Sequence, residues 1–291
     1  MKRLLATASF ALLLTPLAFA QAQMMGEYLD VFKVKIRPEK RAEFDTINKK
    51  VADANRKAKG DFWLASQQEY GEVNTVQFTS TRANYAAVES GMTAFMNSIK
   101  EAYGPGGLPK MMADFNSTIV SGRAEIRRRR WDLSSNPPAG PDEYYKIVGH
   151  ARWLRTIEIR AQNGHEEDIE ARLKQAKSAI EKGSKWSSFV SQTAVGGPGL
   201  VYYISTLQPS RAAFDSAPKL PELMGDEYAG WMKGISEDAA SIETVMMRIL
   251  PELSNPPEAV ANADPDFWHP NRTVAGERAP SKAALSAKAS Q

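Results

Sequence analysis

The four consecutive arginines from Arg127 to Arg130 concentrate positive charge at one point of the sequence. In a β-strand they alternate between two faces, which places Arg128 and Arg130 on the same side. A later stretch carries a single arginine, Arg248, at the place that matches Arg128. We therefore predict that Arg128 and Arg248 are cations that face a ligand. Alternatively, charge on the last strand of a sheet discourages unwanted pairing at the sheet edge and supports ion pairs between domains.

Polar side chains alternate with apolar ones along two predicted strands, "YLDVFKVKI" and "WLRTIEIR". Lys33 and Lys35 oppose the apolar face of the first strand, and Glu158 and Arg160 oppose that of the second. If helices cover the apolar faces, these four side chains point to the interior or rim of a barrel. Lys33 and Glu158 hold opposite charges at matching positions. They form either an ion pair that fixes how two domains dock or an acid/base pair for catalysis.

Two glutamines, Gln67 and Gln192, are matched polar positions in the second strand of each predicted domain, and each follows a serine. Amide side chains in strands can orient a ligand or form hydrogen bonds across neighbouring strands. Both glutamines are therefore candidate ligand-binding residues.

The three histidines are His150, His165 and His269, and they lie far apart in the sequence. None has a neighbour at the spacing of metal ligands, so we expect no metal site. His150, just before a predicted strand, is the candidate for proton transfer or for a haem-ligand role. With Glu158, it is one of two candidate catalytic residues.

Several classes of chemistry are excluded by the composition. The sequence has no cysteine, which excludes disulfides, thiolate metal sites and cysteine nucleophiles. It contains no GxSxG, P-loop, dinucleotide-binding or HExxH motif, so we expect no nucleotide or metal cofactor. Loss of Lys2 and Arg3 with a signal peptide lowers the net charge from +3 to +1. Neither this charge nor the arginine run, which lacks interleaved aromatic residues, predicts nucleic-acid binding.

Residues 1–20, "MKRLLATASFALLLTPLAFA", are typical of a secretory signal peptide, with a basic start, a short apolar stretch and small residues before Gln21. We expect cleavage after Ala20. No second long apolar run follows, so we predict no membrane span after cleavage and a periplasmic or secreted protein.

The sequence repeats itself at an offset of about 125 residues. Residues 66–67 and 80–81 meet identical pairs at 191–192 and 205–206, and "LSSNPP" near residue 133 recurs as "LSNPP" near residue 253. Each copy predicts the order βαββαβ, the ferredoxin-like arrangement. In the second copy we predict one helical region over 210–224, and we predict that the last strands begin near residues 124 and 242.

The chain resembles the dimeric α/β-barrel superfamily, which includes antibiotic-biosynthesis-monooxygenase-like and NIPSNAP-like domains. The resemblance is carried by "VFKVKIRPEKRAEF" at 31–44 and "LRTIEIRAQNGHEEDIEA" at 154–171. It implies an α+β fold in which two tandem ferredoxin-like units pack sheet to sheet as an intramolecular barrel, in a monomer or homodimer. The expected units are 27–135 and 152–257, joined by a linker at 136–151 and followed by a largely disordered tail at 258–291. Aromatic residues in the linker and at 267–268 are expected to dock on a domain.

Three functions fit these observations. The first is binding of a small apolar or aromatic molecule inside the barrel. The second, suggested by the resemblance, is cofactor-independent oxidation or isomerisation of an aromatic substrate. The third is an interaction module whose lumen is filled with side chains. The volume of the lumen and the titratable groups in it distinguish them.

Overall fold

The computed structural model describes residues 25–269. The predicted signal peptide, its cleavage site and most of the predicted disordered tail lie outside this range. At the start of the predicted tail, Glu258–Ala263 and Pro265–Trp268 are helical, and buried apolar side chains anchor them. No helix within 25–269 is long and apolar enough to cross a membrane.

The described residues form the order βαββαβ twice, as predicted. The strands are β1 (Tyr28–Ile36), β2 (Leu64–Tyr70), β3 (Thr75–Arg82), β4 (Ile119–Arg129), β5 (Trp153–Ala161), β6 (Phe189–Val195), β7 (Val201–Gln208) and β8 (Ala239–Ile249). The α-helices are α1 (Arg41–Ala58), α2 (Tyr85–Tyr103), α3 (Gly107–Thr118), α4 (Pro141–Gly149), α5 (Glu166–Gly183), α6 (Leu220–Met224), α7 (Glu227–Asp238), α8 (Glu258–Ala263) and α9 (Pro265–Trp268).

Some predicted boundaries are wrong. The helical region expected over 210–224 is a 3₁₀ turn, Ala212–Ser216, followed by the short α6. Pro218 interrupts it, because proline lacks an N–H and forces the preceding residue into the extended conformation that Ala217 adopts. The last strands begin earlier than predicted, directly at the ends of α3 and α7. The predicted linker contains α4.

All eight strands belong to one closed antiparallel barrel in the order β1-β3-β2-β8-β5-β7-β6-β4. The two halves were predicted to pack sheet to sheet, but they are hydrogen-bonded edge to edge at the β2–β8 and β4–β6 pairs. Closure gives the backbone groups of every strand a partner on both sides, which an open sheet cannot do. β4 is the edge strand of its own half, as predicted, but pairing with β6 leaves no free edge that its charge could protect.

Strand alternation separates an outer layer from the barrel interior. Val34 and Ile36 of β1 pack outward against Phe44 of α1. In the second half, Ile159 of β5 packs in the same way against Ile169 of α5. The intervening residues of β1 and β5 consequently face the barrel interior, as the alternation in the sequence predicts.

The repeated ending, "LSSNPP" or "LSNPP", contacts a strand of the opposite half. The Ser134 hydroxyl accepts a hydrogen bond from the backbone N–H of Val190 on β6 at 2.9 Å. The Ser254 hydroxyl accepts one from the N–H of Ala65 on β2 at 2.8 Å. An isolated backbone bridge follows in each half. The same short motif thus fastens each half to the other.

Arg130 adds an ion pair across the same boundary. Its guanidinium donates to Glu170 of α5 at 2.8 Å, to Gln192 of β6 at 2.5 Å and to Asp132 at 2.7 Å. The hydrogen bond from Arg130 holds the pKa of Glu170 below its ordinary value, and desolvation opposes this effect without cancelling it. The carboxylate of Glu170 is therefore stabilised by a residue of the other half.

We expect Glu170→Gln to lower the free energy of unfolding at pH 7 by about 1–2 kcal/mol, since the pair is partly exposed. Because the folded-state pKa lies below the ordinary value of 4.5, this stability is present above pH 4.5 and is lost as the pH falls below it. Urea unfolding at pH 7 and pH 3 should show the difference shrinking in acid. Glu222→Gln, at an exposed carboxylate, is the control. An equal difference at both pH values would contradict the assignment.

Candidate functional site

The barrel interior contains a cavity of about 140 Å³, here called the apolar chamber. Strands of both halves contribute its apolar walls, which include Leu29, Leu64, Leu154, Phe189, Leu207 and Ile249. Serine and threonine hydroxyls lie among them, together with the cationic side chains of Arg127 and Arg129. A concave, mostly apolar lining with a few polar groups is typical of a small-molecule site.

Helices outside the two βαββαβ units close one end of the chamber. Tyr144 and Val148 of α4 and Val260 of α8 line it directly. Trp268 of α9 is 1% exposed, and its indole N–H donates to the carbonyl of Gly149 at 2.9 Å. We call α4, α8 and α9 the cap. The aromatic residues of the linker and tail dock on the barrel, as their apolar character predicts.

The cap helices approach closely because position 149 has no side chain. A Cβ atom on Gly149 would lie 2.5 Å from the Cβ of Ala263 and 2.6 Å from the carbonyl oxygen of Val260. Arg152 forms an ion pair with Asp264 and lies over the ring of Phe267, 3.5 Å from its centroid. Packing and charge therefore both hold the cap against the barrel.

A second cavity, of about 220 Å³, is here called the polar mouth. Its charged lining comprises Lys33, Arg123, Glu125, Arg127, Glu158, Arg160 and Glu243. The structure brings together the predicted pair Lys33 and Glu158, whose Nζ and Oε1 atoms are 3.9 Å apart. The two residues come from different halves, so this contact joins the halves inside the barrel.

Arg127 lines both cavities and its charge is neutralised locally. It forms an ion pair with Glu125, and both side chains are 7% exposed. Its guanidinium also lies 3.4 Å from the ring centroid of Tyr203, whose hydroxyl donates to Glu125 at 3.4 Å. Burial raises the pKa of Tyr203, so the phenol stays protonated and remains a donor. This group separates the apolar chamber from the polar mouth.

Arg129 also lines the chamber but has no such counter-ion. It is 8% exposed, and its guanidinium donates to the hydroxyl of Tyr144. The guanidinium carbon lies 5.1 Å from the ring centroid of Trp131 and 5.0 Å from that of Tyr144. Its Nε atom is buried without a hydrogen-bond partner among residues 25–269.

Arg128 and Arg248, the predicted ligand-facing cations, point outward instead. Arg128 is exposed and donates to Glu27 at 3.2 Å, and Arg248 donates to Glu69 at 2.8 Å. The reason is register: Arg127 pairs with Leu29, whose side chain lies in the lumen, so the next residue must face out. Both arginines therefore face away from the chamber, and a ligand contact at either one stays a prediction.

Gln67 and Gln192 also face the outer layer. Gln67 accepts a hydrogen bond from Arg41 of α1 at 2.7 Å, and Gln192 accepts one from Arg130. The serine before each glutamine, Ser66 or Ser191, lines the chamber. The two glutamines therefore join helices or loops to strands and face away from the chamber, and their role in ligand binding stays a prediction.

The remaining predicted residues are divided between the polar mouth and the surface. Arg160 and Glu158 line the mouth, where Nε of the first and Oε1 of the second lack a hydrogen-bond partner within 25–269. Lys35 is at the exposed rim, with Glu72 at 3.3 Å. His150 is exposed at the end of α4, 2.8 Å from the carbonyl of Lys146, and lines neither cavity. The predicted catalytic residues His150 and Glu158 are thus not brought together.

One group of side chains in 25–269 has the composition of a metal site. His165, Asp168 and Asp238 offer ligand atoms within 4.8 Å of one another. The guanidinium of Arg172 lies 3.7 Å from Asp238 and opposes the binding of a cation there. The group is far better explained as an ion-pair cluster at the start of α5.

Sequence reasoning missed Arg127, Arg129 and Tyr144 as lumen residues. The signal was present in the arginine run, because Arg127 and Arg129 replace apolar Met247 and Ile249 at the matching positions of the second half. When a charged residue stands where its counterpart in the other half is buried and apolar, the pattern indicates a charge inside the barrel.

The fold has structural relatives among known proteins. An anthrone oxidase-like protein aligns with a TM-score of 0.50 and 9% identity, covering 78% of this chain and 93% of that protein. This likeness shows that the two proteins share a fold. A monooxygenase-like protein of Lactobacillus acidophilus NCFM has a TM-score of 0.46 at 9% identity, with coverage of 76% and 93%. Chlorite dismutase from Candidatus Nitrospira defluvii has a TM-score of 0.45 at 9% identity, with coverage of 84% and 98%.

Sequence identities this low show a shared fold but do not show a shared function. No family model matches the sequence, and no curated protein matches it either.

Proposed function

We propose that the protein binds a small apolar or aromatic molecule in the apolar chamber. The observation that carries this proposal is the cavity of about 140 Å³ inside the barrel, lined mainly by apolar side chains and covered by the cap. A lumen filled with side chains, as in a purely structural interaction module, would not leave this space. The cavity therefore favours a binding protein over an interaction module whose lumen is filled with side chains.

The volume restricts the ligand to one ring. Cavities for drug-sized molecules occupy about 300–1,000 Å³, well above the chamber's size. An engineered apolar cavity of about 150 Å³ in another protein binds benzene. The chamber has nearly the same volume, so a single aromatic ring with a small substituent fits it and a fused three-ring system does not.

Toluene should bind and raise the thermal midpoint, whereas anthracene should not. Ser66→Leu should abolish toluene binding, because Ser66 lines the chamber and a leucine side chain would occupy its volume. Calorimetric titration with toluene measures the affinity of the wild type, of Ser66→Leu and of a control variant. Ser121→Leu, at an exposed position of β4, is the matched control and should bind like the wild type. Failure of toluene to bind the wild type, or unchanged binding to Ser66→Leu, would contradict the proposal.

A second candidate function is cofactor-independent oxidation or isomerisation of the bound ring compound. It is favoured by the buried Oε1 atom of Glu158, which accepts no hydrogen bond within 25–269 and lies 3.9 Å from the Nζ atom of Lys33. Glu158 lines the polar mouth, which shares Arg127 with the chamber. The fold shared with an anthrone oxidase-like protein is compatible with it. Chromatography of the ring compound after aerobic incubation with the protein distinguishes binding from catalysis. A binding protein leaves the compound unchanged.

We further propose that the two halves descend from one duplicated unit. The support is the paired use of equivalent residues, such as Ser134 and Ser254, for the same contact with the opposite half. The proposal predicts that substitutions at equivalent positions, such as Phe44 and Ile169, have similar effects on stability.

Export is also proposed, on the basis of residues 1–20. A basic start followed by a short apolar stretch and small residues supports removal of this segment after Ala20. The mass of the protein purified from its host should correspond to a chain that begins at Gln21. A mass that includes Met1 would contradict the proposal.

A further inference from the structure

Two buried arginines face the chamber, and they differ in how their charge is balanced. Arg127 has Glu125 as an ion-pair partner, and both are almost completely buried. Arg129 is equally buried, at 8% exposure, but residues 25–269 supply it with no carboxylate. The chamber is therefore lined by one compensated and one uncompensated cation.

The contacts of Arg129 leave part of its guanidinium free. One N–H group donates to the Tyr144 hydroxyl, and the rings of Tyr144 and Trp131 lie about 5 Å away. These groups are neutral and cannot cancel the charge, and Nε has no acceptor. An unpaired charge removed from water is costly, so an anion that enters the chamber would gain interaction energy there.

We infer that the ligand is a monocyclic aromatic or similarly small apolar acid, whose carboxylate pairs with Arg129 while its ring occupies the apolar chamber. The inference rests on the proposed binding function and specifies its ligand class. The planar fork of arginine donors matches the two oxygens of a carboxylate. Leu29, Phe189 and Ile249 supply apolar surface for the ring.

Benzoate and benzamide are the probes, because they share size and shape and differ in charge at neutral pH. Benzoate should bind the wild-type protein more tightly than benzamide does. Arg129→Met should weaken benzoate binding by roughly 100-fold and leave toluene binding within a few-fold, because only the charged contact is removed. Isothermal titration calorimetry with the full-length protein measures all three affinities.

Two further variants control for misfolding of Arg129→Met. Arg128→Met removes an exposed arginine at the adjacent position and should leave benzoate binding unchanged. Arg129→Lys keeps the charge but loses the fork, so its benzoate affinity should lie between those of the wild type and Arg129→Met.

The possible failures separate the two proposals. If toluene binds but benzoate binds no better than benzamide, or if neither Arg129 variant weakens benzoate, the inference is overturned while the binding function stands. If neither toluene nor benzoate binds the wild type, the binding function fails and the inference fails with it.

Discussion

Trp268→Ala should lower the free energy of unfolding by about 3–5 kcal/mol, the usual effect of deleting a buried tryptophan side chain. Trp268 is 1% exposed, packs in the cluster that includes Tyr144 and Val260, and donates to the carbonyl of Gly149. Its loss leaves a cavity under the cap and an unsatisfied carbonyl. Urea unfolding followed by circular dichroism measures the change, and toluene affinity should fall in parallel.

The control for this prediction is Tyr85→Ala. Tyr85 is an aromatic residue at 50% exposure, so its removal should cost about 1 kcal/mol or less. A comparably small loss for Trp268→Ala would mean that the cap opens without unfolding the barrel. The cap would then be a separate, weakly held element and could not define the chamber.

Phe44→Ala and Ile169→Ala should each cost several kcal/mol, about 3–5 for the first and 2–5 for the second. Both side chains are 0% exposed and pack between a helix and the barrel in equivalent places of the two halves. Because the halves share hydrogen-bonded strand pairs at both boundaries, each variant should still unfold in a single transition. Urea unfolding monitored by fluorescence and by circular dichroism tests this.

Val120→Ala and Ile242→Ala are the matched controls, one in each half. Both residues are exposed, at 56% and 44%, and truncation should change stability by less than about 1 kcal/mol. Two separate transitions for Phe44→Ala, with only one shifted, would show that the halves unfold independently. That result would contradict a barrel closed through β2–β8 and β4–β6 as one cooperative structure.

The order of elements was predictable because it depends on local patterns. Alternation in β1 and β5 and helical spacing around Phe44 and Ile169 give the βαββαβ order twice, and the structure confirms it. The polar face of β1 was correctly placed toward the interior, where Lys33 meets Glu158. Each of these inferences requires only a few neighbouring residues.

The orientation of the arginines does not follow from the run itself. In four identical residues, alternation defines two faces without saying which faces inward, and only the apolar Met247 and Ile249 at the matching positions distinguish them. Pairing with Leu29 decides it in favour of Arg127, and that register depends on contacts about a hundred residues apart in the chain. Closure by edge pairing and the docking of the cap are likewise long-range features, which a local pattern does not encode.

The replacement of Arg129 by Ile249 at the matching place has a consequence for recognition. In a barrel assembled from two identical chains, a rotation axis would duplicate every inward side chain, and two like charges would face the same space. A single continuous polypeptide is free of this constraint, so its lumen can have a positive end without a mirror counterpart. A ligand with one charged and one apolar end would then bind in a single orientation.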